Sequence, residues 1–157
     1  MKIGKIYMYY GQGKGKTTLA IGQGLRAVSE GRSVVMVQML DFNKNKDYSY
    51  LKNFEPNFRA FKFEKERDGF SPEVKNEIKN EILTAFNFAR KIFETGESDM
   101  VILDGILDAV SMGFIADDDL VELLKKGGEA EIILTGAEKC EKAAPYTTRI
   151  YSINIEK

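Results

Sequence analysis

No histidine occurs anywhere in this chain, and that absence narrows its chemistry more than any other property of the sequence. Ser-His-Asp and Cys-His arrangements are excluded, as are histidine-ligated zinc and histidine acid–base work. Cysteine is nearly absent too. Cys140 stands alone, so there is no disulfide framework, which fits a reducing cytoplasm, and with no histidine to activate it a nucleophilic role is disfavoured. No apolar run approaches the length that crosses a bilayer, and the N-terminus lacks the apolar segment and small-residue cleavage site of a signal peptide. No basic block marks a nucleic-acid surface: 23 Lys and Arg are spread along the chain against 24 Asp and Glu, for a formal charge of −1. Repeats, low-complexity tracts and interdomain linkers are missing as well. What is left reads as one globular domain over residues 1–157, long enough to bury on the order of 70% of its unfolded surface. Its chemistry must come from charge, geometry or a bound cofactor.

The informative stretch is Tyr9-Tyr10-Gly11-Gln12-Gly13-Lys14-Gly15-Lys16-Thr17-Thr18. Ile3 to Tyr10 is an apolar, aromatic run of strand type, and Thr17 to Glu30 carries Leu19, Ala20, Ile21, Leu25, Ala27 and Val28 as the stripe of a helix. A strand that feeds a glycine-rich turn opening a helix is the setting in which a loop grips phosphate. Glycines let backbone N–H groups turn inward without a Cβ in the way, and the helix head adds positive potential. The amides of Gly11 to Thr18 would form the cradle, with Lys16 reaching the terminal phosphates and the Thr17 hydroxyl on magnesium. The usual spacing G-x-x-x-x-G-K-[ST] would need glycine where this chain has Tyr10, so counted from Gly11 the loop is one residue short. The competing reading is a plain turn solvated by its lysines.

Further along, Ser33 to Leu40 is continuously apolar, as in a strand buried on both faces of a parallel sheet. Asp41 to Tyr50 is polar, with a short helix expected from Tyr48 to Asn53. Asn57 to Phe63 reads as a strand with Phe61 and Phe63 on one face, and Glu64 to Phe70 as a charged loop. Ser71-Pro72 opens the longest helix, serine as N-cap and proline at its first position, and Gly96 ends it. Its phenylalanines, Phe86, Phe88 and Phe93, read as core rather than as a cofactor surface. Asp99 to Asp104 is a strand ending in an acid, the position where phosphate-loop proteins hold magnesium through water; helix capping is the alternative for Asp104. Gly105 to Ile115 is expected to be helical, and Ala116 to Asp119 to cap a helix from Leu120 to Lys126, its acids suiting the helix N-terminus. A strand from Glu131 to Thr135, a short helix near Glu138 to Ala144 and an edge strand from Thr147 to Ile155 complete the chain. This alternation predicts a mainly parallel α/β sheet with helices on both faces.

The shortened loop G-x-G-K-G-K-T-T, read with Gly22, Arg26, Ala27 and Gly31 on the first helix, Val34 to Gln38, Val101 to Asp104 and Leu134-Thr135-Gly136, resembles the ATP:corrinoid adenosyltransferases over roughly residues 3 to 140. The resemblance implies a RecA-like phosphate-loop fold. It also implies adenosyl transfer, in which a Co(I) corrinoid attacks C5′ of ATP and triphosphate departs. Such chemistry needs no histidine base, because the cobalt is the nucleophile. The resemblance further implies Lys16 as the catalytic cation, Thr17 and Asp104 on magnesium, and Phe70, within Gly69-Phe70-Ser71-Pro72, against the corrin. Homodimers and an electron-donor protein are the partners it implies. Four departures gather at the same site. Gly105 stands for a glutamate, Asp41 for a lysine, Pro72 for a tryptophan and Ala137 for an arginine. Two other readings therefore stand beside the enzyme: a relative that binds ATP, with or without a corrinoid, and does not turn over, and a small phosphotransferase or NTPase.

Overall fold

The computed structural model describes residues 4–40, 47–65 and 71–157. Six strands form one sheet in the order β3-β2-β4-β5-β1-β6, with every pairing parallel. They are β1 (Ile6–Tyr10), β2 (Val34–Gln38), β3 (Phe58–Lys62), β4 (Met100–Asp104), β5 (Glu131–Gly136) and β6 (Arg149–Ser152). Period-2 alternation divides their side chains between two cores. Val35, Val37, Val101, Leu103, Ile132 and Leu134 face the helices α2 (Pro72–Thr95), α3 (Ile106–Ser111) and α4 (Asp117–Lys125). Val34, Met36, Met100, Ile102 and Ile133 face α1 (Lys16–Ser29) and a 3₁₀ segment at Ser49–Phe54. Helices thus cover both faces, and β2, β4 and β5 are buried on both sides, which is why their sequences are apolar without alternation.

The longest helix begins and ends as its sequence predicts. The Ser71 hydroxyl accepts from the Val74 amide at 3.2 Å, Pro72 takes the first position and Gly96 closes the end. Phe88 packs on Phe61 and Phe63, ring centroids 4.6 and 5.4 Å apart, so the phenylalanine stripe is core.

Several expected boundaries move. The helix expected over 105–115 is only Ile106–Ser111; it closes in a Schellman turn, with the Phe114 amide donating to the Ala109 carbonyl at 2.9 Å. The acids Asp117 to Asp119 do not cap the next helix but lie inside its first turn, behind Ala116 as N-cap. They still meet the helix dipole there, and Lys142 pairs with Asp117 and Asp118 at 3.6 and 3.2 Å. The helix expected near 138–144 is a run of turns ending in a 3₁₀ turn at Ala144–Tyr146. The last strand stops at Ser152 because β1, the strand it pairs with, has become a loop after Tyr10.

The first helix carries glycines with opposite packing. A Cβ on Gly22 would meet nothing within 4 Å, whereas one on Gly24 would lie 2.5 Å from the fully buried Phe58 ring. Gly22→Ala is therefore expected to stabilise the fold by up to about 1 kcal/mol. Gly24→Ala is expected to destabilise it by about 1–3 kcal/mol through overpacking. Urea denaturation of both variants checks the pair.

Candidate nucleotide site

The C-terminal ends of β1, β4 and β5 bring together what the sequence spreads over more than a hundred residues. Parallel register places Tyr10 beside Gly136 and Gln38 beside Asp104, so the loop after β1 faces the acid that ends β4. Outside the strand ends of such a sheet is where ligands bind in open α/β folds. A cavity of about 350 Å³ lies there, lined by residues 12–17, Leu40, Asp104, Gly105, Asp108 and residues 135–137.

The loop is held from behind by two segments. The Gly11 amide donates to the carbonyls of Gly136 and Ala137 at 3.2 and 3.0 Å. The Gly13 amide donates to the Ile153 carbonyl at 2.8 Å, and the Ile153 amide donates back to Tyr10 at 2.7 Å. The tail beyond β6 therefore straps the loop in place. Gly11 is required twice over, by its φ of +131° and because a Cβ there would stand 2.1 Å from the Ile153 carbonyl oxygen. Two of the amides expected to form the cradle, those of Gly11 and Gly13, are thus committed within the fold. At the head of α1 the N-cap is Gly15, at φ +105°, and no side chain caps the helix. Its first-turn donors are thus left for a ligand.

Lys16 lies at the start of α1 with its Nζ donating to the Gly11 and Gly13 carbonyls, each at 2.7 Å. One turn of hydrogen bonds thus folds the cation over the loop it belongs to. The Thr17 hydroxyl donates to Asp104 Oδ1 at 2.8 Å. Thr135 donates to the same oxygen at 2.7 Å and accepts from the Gly105 amide at 2.9 Å, while Gln38 Nε2 stands 3.5 Å from Oδ2. Asp104 is only 4% exposed, so these donors are what make its burial tolerable. Of the residues singled out from sequence, Gln12, Gly13, Lys14, Gly15, Lys16, Thr17 and Asp104 line the cavity. Gly11 supports it from behind, and Thr18 follows in the helix, exposed. Phe70 and Asp41 lie outside the described residues.

Asp108 is the site residue that sequence reasoning missed. It stands on α3, four residues after Asp104, and its Oδ1 accepts from the Ala137 amide at 2.8 Å. Burial pushes its carboxyl above the ordinary range, against the Ala137 amide and the charge of Lys16, which draw it down; Glu138 adds a smaller upward push. An acid whose folded pKa is raised costs stability when ionised, and the cost disappears once pH falls below its unfolded value of about 3.9. Asp108→Asn keeps an acceptor for Ala137. It is expected to melt above the parent at pH 7, the difference shrinking toward zero as the pH is lowered to about 4. Thermal melts across that range check the sign.

A parallel α/β sheet whose first strand runs through a glycine-rich, lysine-bearing loop into a helix, facing an acid two strands away, defines the phosphate-loop class of nucleotide-binding folds. A solved KaiC-like protein from Pyrococcus horikoshii shares the fold, with a TM-score of 0.61 over 99% of this chain and 74% of its own, at 14% identity. Within that class, the chain belongs to the family of ATP:corrinoid adenosyltransferases BtuR/CobO/CobP, which it matches over residues 2–154. It is 25% identical over 142 residues to the corrinoid adenosyltransferase of Escherichia coli K12, covering 88% of this chain and 70% of that protein. It is 28% identical over 137 residues to the corrinoid adenosyltransferase CobA of Salmonella typhimurium, covering 85% and 67%. Among the described residues, no helix is long and apolar enough to cross a membrane.

Proposed function

We propose that this protein transfers the 5′-deoxyadenosyl group of ATP to a Co(I) corrinoid and releases triphosphate. The observation that carries the reading is the uncapped head of α1, with Lys16 beside it, opening on a cleft whose far wall is the Thr17–Asp104 pair. In this reaction the cobalt gives two electrons to a new Co–C5′ bond while the C5′–O bond breaks, its pair leaving with the triphosphate. The protein's part is to hold C5′ in line and to stabilise charge on the departing group. Lys16, Lys14 and the amides from Lys14 to Thr18 supply that stabilisation.

Magnesium fits the oxygen donors present. Thr17 Oγ1 and Asp104 Oδ1 are 2.8 Å apart on the cleft wall. No group of three or more His, Cys, Asp or Glu among the described residues could cage a metal, which suits an ion that keeps several waters and takes its other ligands from phosphate. Bound there, it supplies positive charge to the leaving triphosphate. Phe70, just before the α2 cap, is assigned to cover the corrin face, and the working assembly is a homodimer in the cytoplasm, served by an electron donor.

The experiment is an anaerobic assay of the protein with cobalamin, a strong reductant and MgATP. The expected result is a light-sensitive Co–C product with one triphosphate released per adenosyl group. Folded protein yielding no such product would overturn the activity, and inorganic phosphate in place of triphosphate would make it an NTPase. One observation favours the reading as a binder without turnover. A side chain at Gly105, where the resemblance calls for glutamate, would meet the Leu40 carbonyl oxygen at 2.4 Å, and the backbone there has φ of +78°. That departure is built into the backbone. Calorimetry showing tight MgATP binding alongside a blank assay would select the binder.

A further inference from the structure

The cleft has an acid on its wall to which the proposed reaction gives no task. Asp104 is well supplied with donors, from Thr17 and Thr135 at Oδ1 and Gln38 at Oδ2. Asp108 borders the same cavity from α3. Its Oδ1 is taken by the Ala137 amide, and its Oδ2 receives no hydrogen bond from any described residue. A triphosphate placed in a cavity of about 350 Å³ brings several negative charges close to that carboxylate. In a partly desolvated site such repulsion is strong, and the chain's own cations, Lys14 and Lys16, belong to the loop. An acid facing phosphate at close range calls for a cation between them.

We propose that Asp108 is a second carboxylate holding the magnesium ion that accompanies ATP, acting through its free Oδ2 and the ion's water shell. The assignment rests on reading the cleft as a magnesium–nucleotide site. Magnesium retains several waters when bound by one or two carboxylates and phosphate, and outer-shell acceptors of this kind change metal affinity by about 10–100-fold when removed. Asp108 then has two jobs at once. One oxygen latches the end of β5, whose carbonyls hold the Gly11 amide, and the other serves the ion.

The test is equilibrium ATP binding by calorimetry to the parent and to Asp108→Asn, once with magnesium and once in EDTA. Manganese binding in the presence of ATP is followed in parallel by electron paramagnetic resonance. Asparagine keeps the acceptor for Ala137, so the latch survives and only the charge is removed. With magnesium present, the variant is expected to bind ATP about 10-fold more weakly and to need a correspondingly higher magnesium concentration for half-saturation, with manganese affinity falling about 10–100-fold. In EDTA the sign reverses: metal-free ATP is expected to bind the variant several-fold more tightly, because a repelling charge has gone. An equal loss under both conditions would make Asp108 a latch alone. A gain under both would make it a repulsive or protonated acid, and an unchanged magnesium midpoint would take it out of the metal site; each of these overturns the proposal. If the parent binds ATP in neither condition, the nucleotide reading itself falls, which is a different result from any of these.

Discussion

Lys16→Ala is expected to slow adenosyl transfer by about a hundred- to a thousand-fold, the usual cost of removing one preorganised electrostatic partner of a developing anion. Affinity for ATP should fall as well, while the melting temperature stays close to the parent's. The geometry explains the split. Among the described residues the Lys16 ammonium bonds only to carbonyls of its own loop, Gly11 and Gly13, so its loss in the absence of nucleotide exchanges hydrogen bonds that water in the open cleft can replace. Hydrogen bonds from a charged group are worth about 1.5–3 kcal/mol net where they are buried, and water in the cleft offsets that loss here. With triphosphate bound as proposed, the same ammonium would be free to turn from these carbonyls to the departing group. Single-turnover rates, calorimetry and a thermal melt read the three quantities separately. Parent-like rate and affinity in the variant would reduce the loop to a solvated turn.

Gly11→Ala is expected to do the opposite, damaging fold and binding together. Its Cβ would stand 2.1 Å from the Ile153 carbonyl oxygen, and alanine would have to hold φ near +131°. Backbone strain and overpacking each cost about 1–3 kcal/mol, so a loss of about 2–6 kcal/mol is expected in urea denaturation, with ATP binding lost as the loop shifts. Gly15→Ala is the control. It has φ of +105° but nothing within 4 Å of the added atom, so only the backbone cost of about 1–3 kcal/mol applies. If the two variants prove equally stable, the tail does not hold the loop as the structure has it.

The contrast shows which parts of the molecule local sequence can reveal. The strand at Val34–Gln38 was legible because burial on both faces demands an unbroken apolar run, and α2 because its stop and start signals, Ser71-Pro72 and Gly96, act within a turn of the residues they govern. Lys16, Thr17 and Asp104 were legible because a phosphate loop and an acid-ended strand have fixed local grammar, and the parallel register then unites them. Asp108 was not. Its partner is an amide 29 positions away, reached only when α3 docks beside β5. The same limit hid the Ile153 strap, whose hydrogen bonds are between backbone groups and leave no mark on residue type. The short helix expected near 138–144 is instead a run of turns leading into the 3₁₀ turn at Ala144–Tyr146, a difference that composition does not mark.

The strap also sets a timetable. Gly13 is translated 140 positions before the residue whose carbonyl fixes its amide. At roughly 5–20 residues per second, that is on the order of ten seconds on the ribosome. Until the final strand has emerged and paired, the Gly13 amide lacks the Ile153 carbonyl, so the loop after β1 reaches its final shape only with the completed sheet.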